Sequence, residues 1–289
     1  MAAAAVNPSS SQPGGLLLAI AAMGIIQLGI ALSEPLFAQV GPTGVVALRL
    51  AVAAAVLWPL TRPVVRGRDR ADLRAAIWLG LCSGAQTLAF FAAIDRIPLG
   101  VAVTIEFLGP LAVAVAGSRR RLDILWVLLV AAGVALLMLG RGAAGGLDPA
   151  GVALAGAAAV GWAGYIVLTK RVGSRWSGLE GLAVSLAVAA VLALGPGVAT
   201  AGTALIDPAV LAAGAGLALL APLAPYALEM LALRRLPSAR FGIVMSLEPA
   251  IGAALGFALL GQHLPPTAVV AIALIVVASV GATVGVRRA

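Results

Sequence analysis

The chain is 289 residues long; 62% of them are apolar, only 10% are charged, and the mean hydropathy is +1.10. That composition excludes an ordinary soluble domain. A formal charge of +8 would point to nucleic acid in a soluble protein, yet no basic stretch is interleaved with stacking aromatics, so the expected partner is the lipid bilayer and not nucleic acid.

A helix needs about 20 apolar residues to cross a bilayer. That length predicts an all-α membrane protein with ten transmembrane helices. A flexible cytoplasmic segment, residues 1–13, precedes them. It holds no Lys or Arg, so the first span is expected to be a retained helix and not a cleaved leader. The spans are Gly14–Leu32, Pro42–Leu60, Arg74–Ile94, Pro98–Gly117, Ile124–Gly140, Pro149–Thr169, Gly178–Val198, Pro208–Leu233, Ser238–Leu260 and Pro265–Val286. The last two are divided only by the turn-like run from Gly261 to Pro266.

Alternate gaps carry the cations. Arg62, Arg66, Arg68, Arg70 and Arg74 fill one; Arg119, Arg120 and Arg121 the next; then Lys170, Arg171 and Arg175; then Arg234, Arg235 and Arg240; then Arg287 and Arg288. The intervening gaps hold only Arg96 and Arg141. Short loops rich in Lys and Arg stay on the cytoplasmic side, so both termini are expected there. Trp58, Trp78, Trp126 and Trp176 fall at or near predicted cytoplasmic ends, as interfacial anchors do, whereas Trp162 lies deep in the sixth span.

Two proline signatures recur. Pro98 and Pro110 in the fourth span reappear 139 residues later as Pro237 and Pro249 in the ninth. The recurrence divides the chain into two five-helix repeats, 14–140 and 149–286. An odd number of spans per repeat inverts the second relative to the first, a transporter plan with the substrate site between the halves.

Ionisable groups inside a bilayer cost several kcal/mol and usually face a cavity or a partner. Arg49, Glu106, Glu229 and Glu248 stand well inside predicted spans, and Glu34 sits near the outer end of the first. Helical spacing adds neighbours: Gln27 seven before Glu34, Trp162 three before Tyr165, Tyr226 three before Glu229, and Gly252 four after Glu248. Gln86 adds an amide in the third span. One reading makes these faces the lining of a polar cavity, where a carboxylate draws an ammonium group and Arg49 a carboxylate. The other pairs Arg49 with one glutamate as a lock between helices. One arginine cannot neutralise every buried glutamate, so at least one is protonated or solvated, and such a group is also suited to carry a proton. The Gly80–Gly84 and Gly252–Gly256 pairs permit close helix contact. Pro110, Pro222, Pro225 and Pro249 are expected to kink helices.

The energy source is narrowed by what is missing. The sequence has no G-x-x-x-x-G-K-[ST] loop for ATP, no H-E-x-x-H and no G-x-S-x-G. Cys82 and His263 are the sole residues of their types, which argues against a Cys or His metal centre, so no cofactor is expected. An enzyme is not expected; an intramembrane enzyme acting on a lipid is the alternative from another class.

The strings Ala47-Leu48-Arg49-Leu50, Pro98-Leu99-Gly100-Val101-Ala102-Val103, Glu106-Phe107 and Gly109-Pro110-Leu111-Ala112 resemble EamA-type members of the drug/metabolite transporter superfamily. So do Pro225-Tyr226, Leu228-Glu229-Met230, Arg235-Leu236-Pro237, Phe241-Gly242, Met245-Ser246 and Glu248-Pro249-Ala250. The likeness is collinear over nearly the whole chain, and within the superfamily it is nearest to bacterial threonine/homoserine exporters. It implies export of small amino acids across the bacterial inner membrane, with protons as the coupling ion; export of another small metabolite or drug is the alternative within the superfamily. It also supports Arg49, Glu106, Glu229 and Glu248 as site residues, because all four sit in matching strings. The chain departs from the pattern at Glu34, where the resemblance leads one to expect a lysine.

Overall fold

The computed structural model describes residues 12–116, 125–126, 128–129, 132–133, 136, 147–225, 228, 232, 245 and 247–286. Those residues are helical with short connections and contain no strand. Helix α1 (Gln12–Ala31) leads through a 3-10 turn at Glu34–Leu36 into α2 (Phe37–Thr61). Then come α3 (Arg70–Ile94), α4 (Leu99–Glu106) and α5 (Leu108–Ala116). The second part holds α6 (Pro149–Gly173), α7 (Glu180–Ala201), a 3-10 turn at Gly202–Ile206, and α8 (Pro208–Ala218) running into a π-helical segment, Leu219–Leu223. Helices α9 (Glu248–Leu260) and α10 (Pro266–Val286) complete it. Four described stretches are long and apolar enough to cross a membrane: Gly14–Thr61, Arg70–Ile94, Pro149–Gly173 and Glu180–Ile206. The first contains both α1 and α2. Shorter apolar helices are Leu99–Val113, Pro208–Leu223, Glu248–Leu260 and Pro266–Ala278. The predicted fifth span, Ile124–Gly140, is described only at residues 125–126, 128–129, 132–133 and 136.

Local chemistry sets several boundaries; α6 and α8 start where the sequence put them, and α3 starts four residues before the expected Arg74. Asp69, Asp148 and Asp207 cap the N-termini of α3, α6 and α8, accepting from Ala71 N, Ala150 N and Ala209 N at 3.2, 2.8 and 2.8 Å. Pro149 and Pro208 occupy first-turn positions of α6 and α8, where a missing N–H costs nothing. Gly41 has φ +67 and breaks α2, so the regular helix starts at Pro42.

Small residues let the long helices approach. Helix α2 packs along α7, and α3 packs on both α6 and α7. Gly80 sits against the Ser185 carbonyl and Val188, and Gly84 sits against Ala189, so the first small-residue pair seats α3 on α7. Gly197 sits against Ala47, and a Cβ at Gly161 would lie 2.8 Å from Gln86 Cβ. Helix α4 is buried at every residue, between α6 and α9. Gly109 lies directly on the Ala159 carbonyl of α6.

Contacts between loops fall at two ends. At one, Arg68 stacks 3.9 Å from the Trp176 ring centroid and donates to Glu180 at 3.3 Å, while Arg175 donates to Asp72 at 2.8 Å. At the other, Arg96 pairs with Asp148 at 3.0 Å, Thr43 meets Thr200 at 2.7 Å, and Leu99 N donates to Gln262 Oε1 at 3.0 Å. Each of these contacts joins helix ends or loops that the ten-span order expected from the sequence puts on one side. Arg96, through its hydrogen bond, holds the Asp148 carboxyl below the ordinary carboxylate range.

One interfacial residue behaves differently from the expectation. Trp58 and Trp78 are exposed, as anchors should be. Trp176 is only 5% exposed, packed among Ala75, Leu79 and Val172 beneath Arg68. Its indole Nε1–H reaches the Asp72 carbonyl at 3.3 Å, so it ties two loops together instead of facing lipid.

Candidate functional site

Three helices that bury polar side chains converge at one level. Helices α4 and α9 run antiparallel, held close by glycine. A Cβ on Gly256 would lie 3.6 Å from Leu99 Cβ, one on Gly100 2.7 Å from Ala253 Cα, and one on Gly252 3.1 Å from Val103 Cγ2. Residue numbers rise along α4 as they fall along α9. The next step brings Glu106, the last residue of α4, level with Glu248, the first residue of α9. Each carboxylate lies on the contacting face: Glu106 three residues beyond Val103, Glu248 four before Gly252. The second small-residue pair therefore seats α9 on α4.

Both glutamates are buried, at 8% and 5% exposure, so neither faces acyl chains. Each has an amide partner. Gln86 on α3 donates to Glu106 Oε1 at 3.1 Å, and Gln27 on α1 donates to Glu248 Oε1 at 3.2 Å. Both also stand at a helix end. Phe107 separates α4 from α5, and Leu247 precedes α9. Pro110 and Pro249 lie in the first turns of α5 and α9, where neither has an N–H to donate to the residue four before it. Pro222 lies within the π segment next to Ala221, whose backbone is non-helical at φ −160, ψ 113.

Arg49 lies midway along α2 and is 5% exposed. Its guanidinium sits 4.6 Å from the centroid of the Phe91 ring and within electrostatic reach of Glu106. Phe91, itself buried and flanked by Phe37 and Phe90, was not singled out by the sequence, because an aromatic in an apolar run carries no signal. Trp162 packs edge-on against Phe107 at 5.9 Å, next to the end of α4 at Glu106. Tyr165, one turn on, packs towards the Trp176 cluster. The structure thus brings Gln27, Arg49, Gln86, Glu106, Trp162 and Glu248 onto adjoining helices, with Tyr165 at the margin. Tyr226 and Glu229 lie outside the described residues. Glu34 is half-buried in the turn after α1. Gln262, missed because a lone amide in a turn looks like loop chemistry, caps the far end of α4. Among the described residues no three His, Cys, Asp or Glu side chains gather as metal ligands.

Comparison with known proteins gives this arrangement its context. The EamA-like transporter family matches residues 149–284. The threonine/homoserine exporter RhtA of Salmonella typhimurium strain LT2 is 39% identical over 274 residues, 94% of this chain and 92% of that protein. RhtA of Escherichia coli strain K12 is 38% identical over the same coverage. The chain belongs to the EamA-like transporter family. It is therefore a membrane transporter and not an enzyme, in keeping with its missing hydrolase and nucleotide motifs. The fold is shared with a solved crystal structure at a TM-score of 0.65 and 22% identity, covering 96% of this chain and 99% of that one.

Proposed function

We propose that the chain exports small amino acids, threonine and homoserine first, from the cytoplasm across the bacterial inner membrane. The observation that carries this is identity of 38–39% to threonine/homoserine exporters over more than nine-tenths of both chains. In this reading the chain forms ten spans in two inverted halves, both termini are cytoplasmic, and transport proceeds by alternating access. The contact pattern supports the inverted halves. Exchanging every span for the one five places away turns the third–seventh contact into the eighth–second, and the fourth–sixth into the ninth–first; all four occur.

The paired carboxylates give the site its chemistry. Glu106 and Glu248, at helix ends, attract the substrate ammonium, and Arg49 draws its carboxylate. Gln86 and Gln27 orient the two carboxylates, and Trp162, Tyr165, Tyr226 and Glu229 complete the lining. Export against a gradient needs an energy source, and the absence of a P-loop favours the proton gradient. A glutamate that binds a proton and ammonium in turn would couple the two fluxes. Overproduction in cells challenged with excess homoserine or threonine tests the substrate. Raised tolerance and lower intracellular label are expected; unchanged tolerance and retention would refute export of these amino acids. Collapse of the proton gradient in everted vesicles should abolish accumulation; accumulation that survives would remove proton coupling.

A further inference from the structure

The Gln27 amide uses only part of its hydrogen-bonding capacity within the protein. Its Nε2 donates to Glu248 Oε1. Its Oε1 is buried and has no hydrogen-bond partner among the described residues. The orientation follows from chemistry: an ionised carboxylate accepts, so the NH2 group turns towards it and the carbonyl turns away. That oxygen borders Gly252, where a Cβ would come within 3.3 Å of it and 3.1 Å of Val103 Cγ2. It therefore lies where α1, α4 and α9 meet, beside the carboxylate of Glu248. Gln27 is 2% exposed, and buried acceptors without donors are uncommon because desolvation is unfavourable.

No described residue donates to this oxygen, so a small molecule that reaches it can supply the missing hydrogen bond. Threonine and homoserine differ from apolar amino acids of the same shape by one hydroxyl. On threonine the hydroxyl and the ammonium stand on adjacent carbons, so one molecule spans a carboxylate and the amide oxygen next to it. We propose that Gln27 Oε1 accepts the side-chain hydroxyl of the exported amino acid and so selects hydroxylated substrates over their apolar isosteres; this rests on the reading of the chain as an amino-acid exporter. A site that leaves an acceptor unpaired discriminates against the analogue lacking the donor much more strongly than an apolar pocket does.

The test uses the full chain in proteoliposomes, with labelled threonine and valine as one pair and homoserine and norvaline as the other. Gln27→Met keeps the side-chain length and removes the acceptor. It should lower the threonine-to-valine and homoserine-to-norvaline ratios by roughly tenfold or more. Ratios that stay at the parent value, even if all fluxes fall together, overturn the proposal, because a merely structural Gln27 would lower every substrate alike. Gln27→Asn, which withdraws the oxygen by one carbon, is read in the same way if the methionine variant fails to reach the membrane. A parent protein that moves neither threonine nor homoserine removes the underlying export reading instead, and the hydroxyl assignment falls with it.

Discussion

The α2–α3–α6–α7 cluster and the α1–α4–α9 convergence are built to different rules. The first uses long, nearly continuous helices, glycine-seated contacts and ion pairs at its loops. Its buried Ser185 shares its hydroxyl proton between the Gly181 carbonyl of its own helix at 2.7 Å and the Ala76 carbonyl of the packed helix α3 at 3.0 Å. The second uses helices that stop at buried carboxylates and amides borrowed from other helices. A hydroxyl that keeps its own helix's carbonyl as a second acceptor tolerates small shifts, whereas a buried carboxylate that takes a side-chain amide from another helix has a geometry that changes when helices shift. In the proposed alternating-access cycle the first region would hold still while the second rearranges.

The contrast can be broken at either region. Glu106→Gln and Glu248→Gln keep shape and remove charge at the convergence. Each is expected to lower amino-acid export by about tenfold or more with unchanged membrane abundance, measured as flux per molecule. Equal flux in both variants would move the site elsewhere. Gly80→Ala attacks the frame, because its Cβ would collide with the Ser185 carbonyl. A loss of about 1–3 kcal/mol is expected, read as a lower midpoint in thermal unfolding of the detergent-solubilised protein. Arg68→Ala removes the stack on Trp176 and the Glu180 pair; about 1 kcal/mol or less should be lost, and addition of salt should shrink the difference from the parent.

The smallest effect concerns Asp148. Its folded carboxyl titrates below its ordinary value because of Arg96 and the Ala150 N–H. A depressed carboxylate stabilises the fold above its unfolded pKa of about 3.9, and that contribution disappears as pH falls through the folded value. The parent's excess stability over Asp148→Asn should therefore be present near neutrality and shrink in acid. A difference constant down to the acid limit would show that the ion pair contributes nothing.

Much of the frame is legible from the residues alone. A cation cluster in every second gap and apolar runs of sufficient length located α3, α6, α7 and α10 within a few residues. The helix ends at Phe107 and Leu247 were not legible. The window from Pro98 to Gly117, apolar apart from Thr104 and Glu106, carries no length signal for two short helices, and a proline in it reads equally as a bend or as a first turn. For the candidate site, burial cost picked out Glu106, Glu248 and Arg49. The Gln–Glu partnerships stayed hidden because Gln27 and Glu248 are 221 positions apart, a separation that only tertiary packing closes.

The cap on α4 has a further consequence. Gln262 takes the Leu99 amide with its side chain and, through its own N–H, the Gly256 carbonyl at 3.0 Å, so one residue clasps the rim of two antiparallel helices. Swinging those helices apart there strands an amide proton until water arrives. The ease of wetting that single peptide group thus helps set how readily the rim parts.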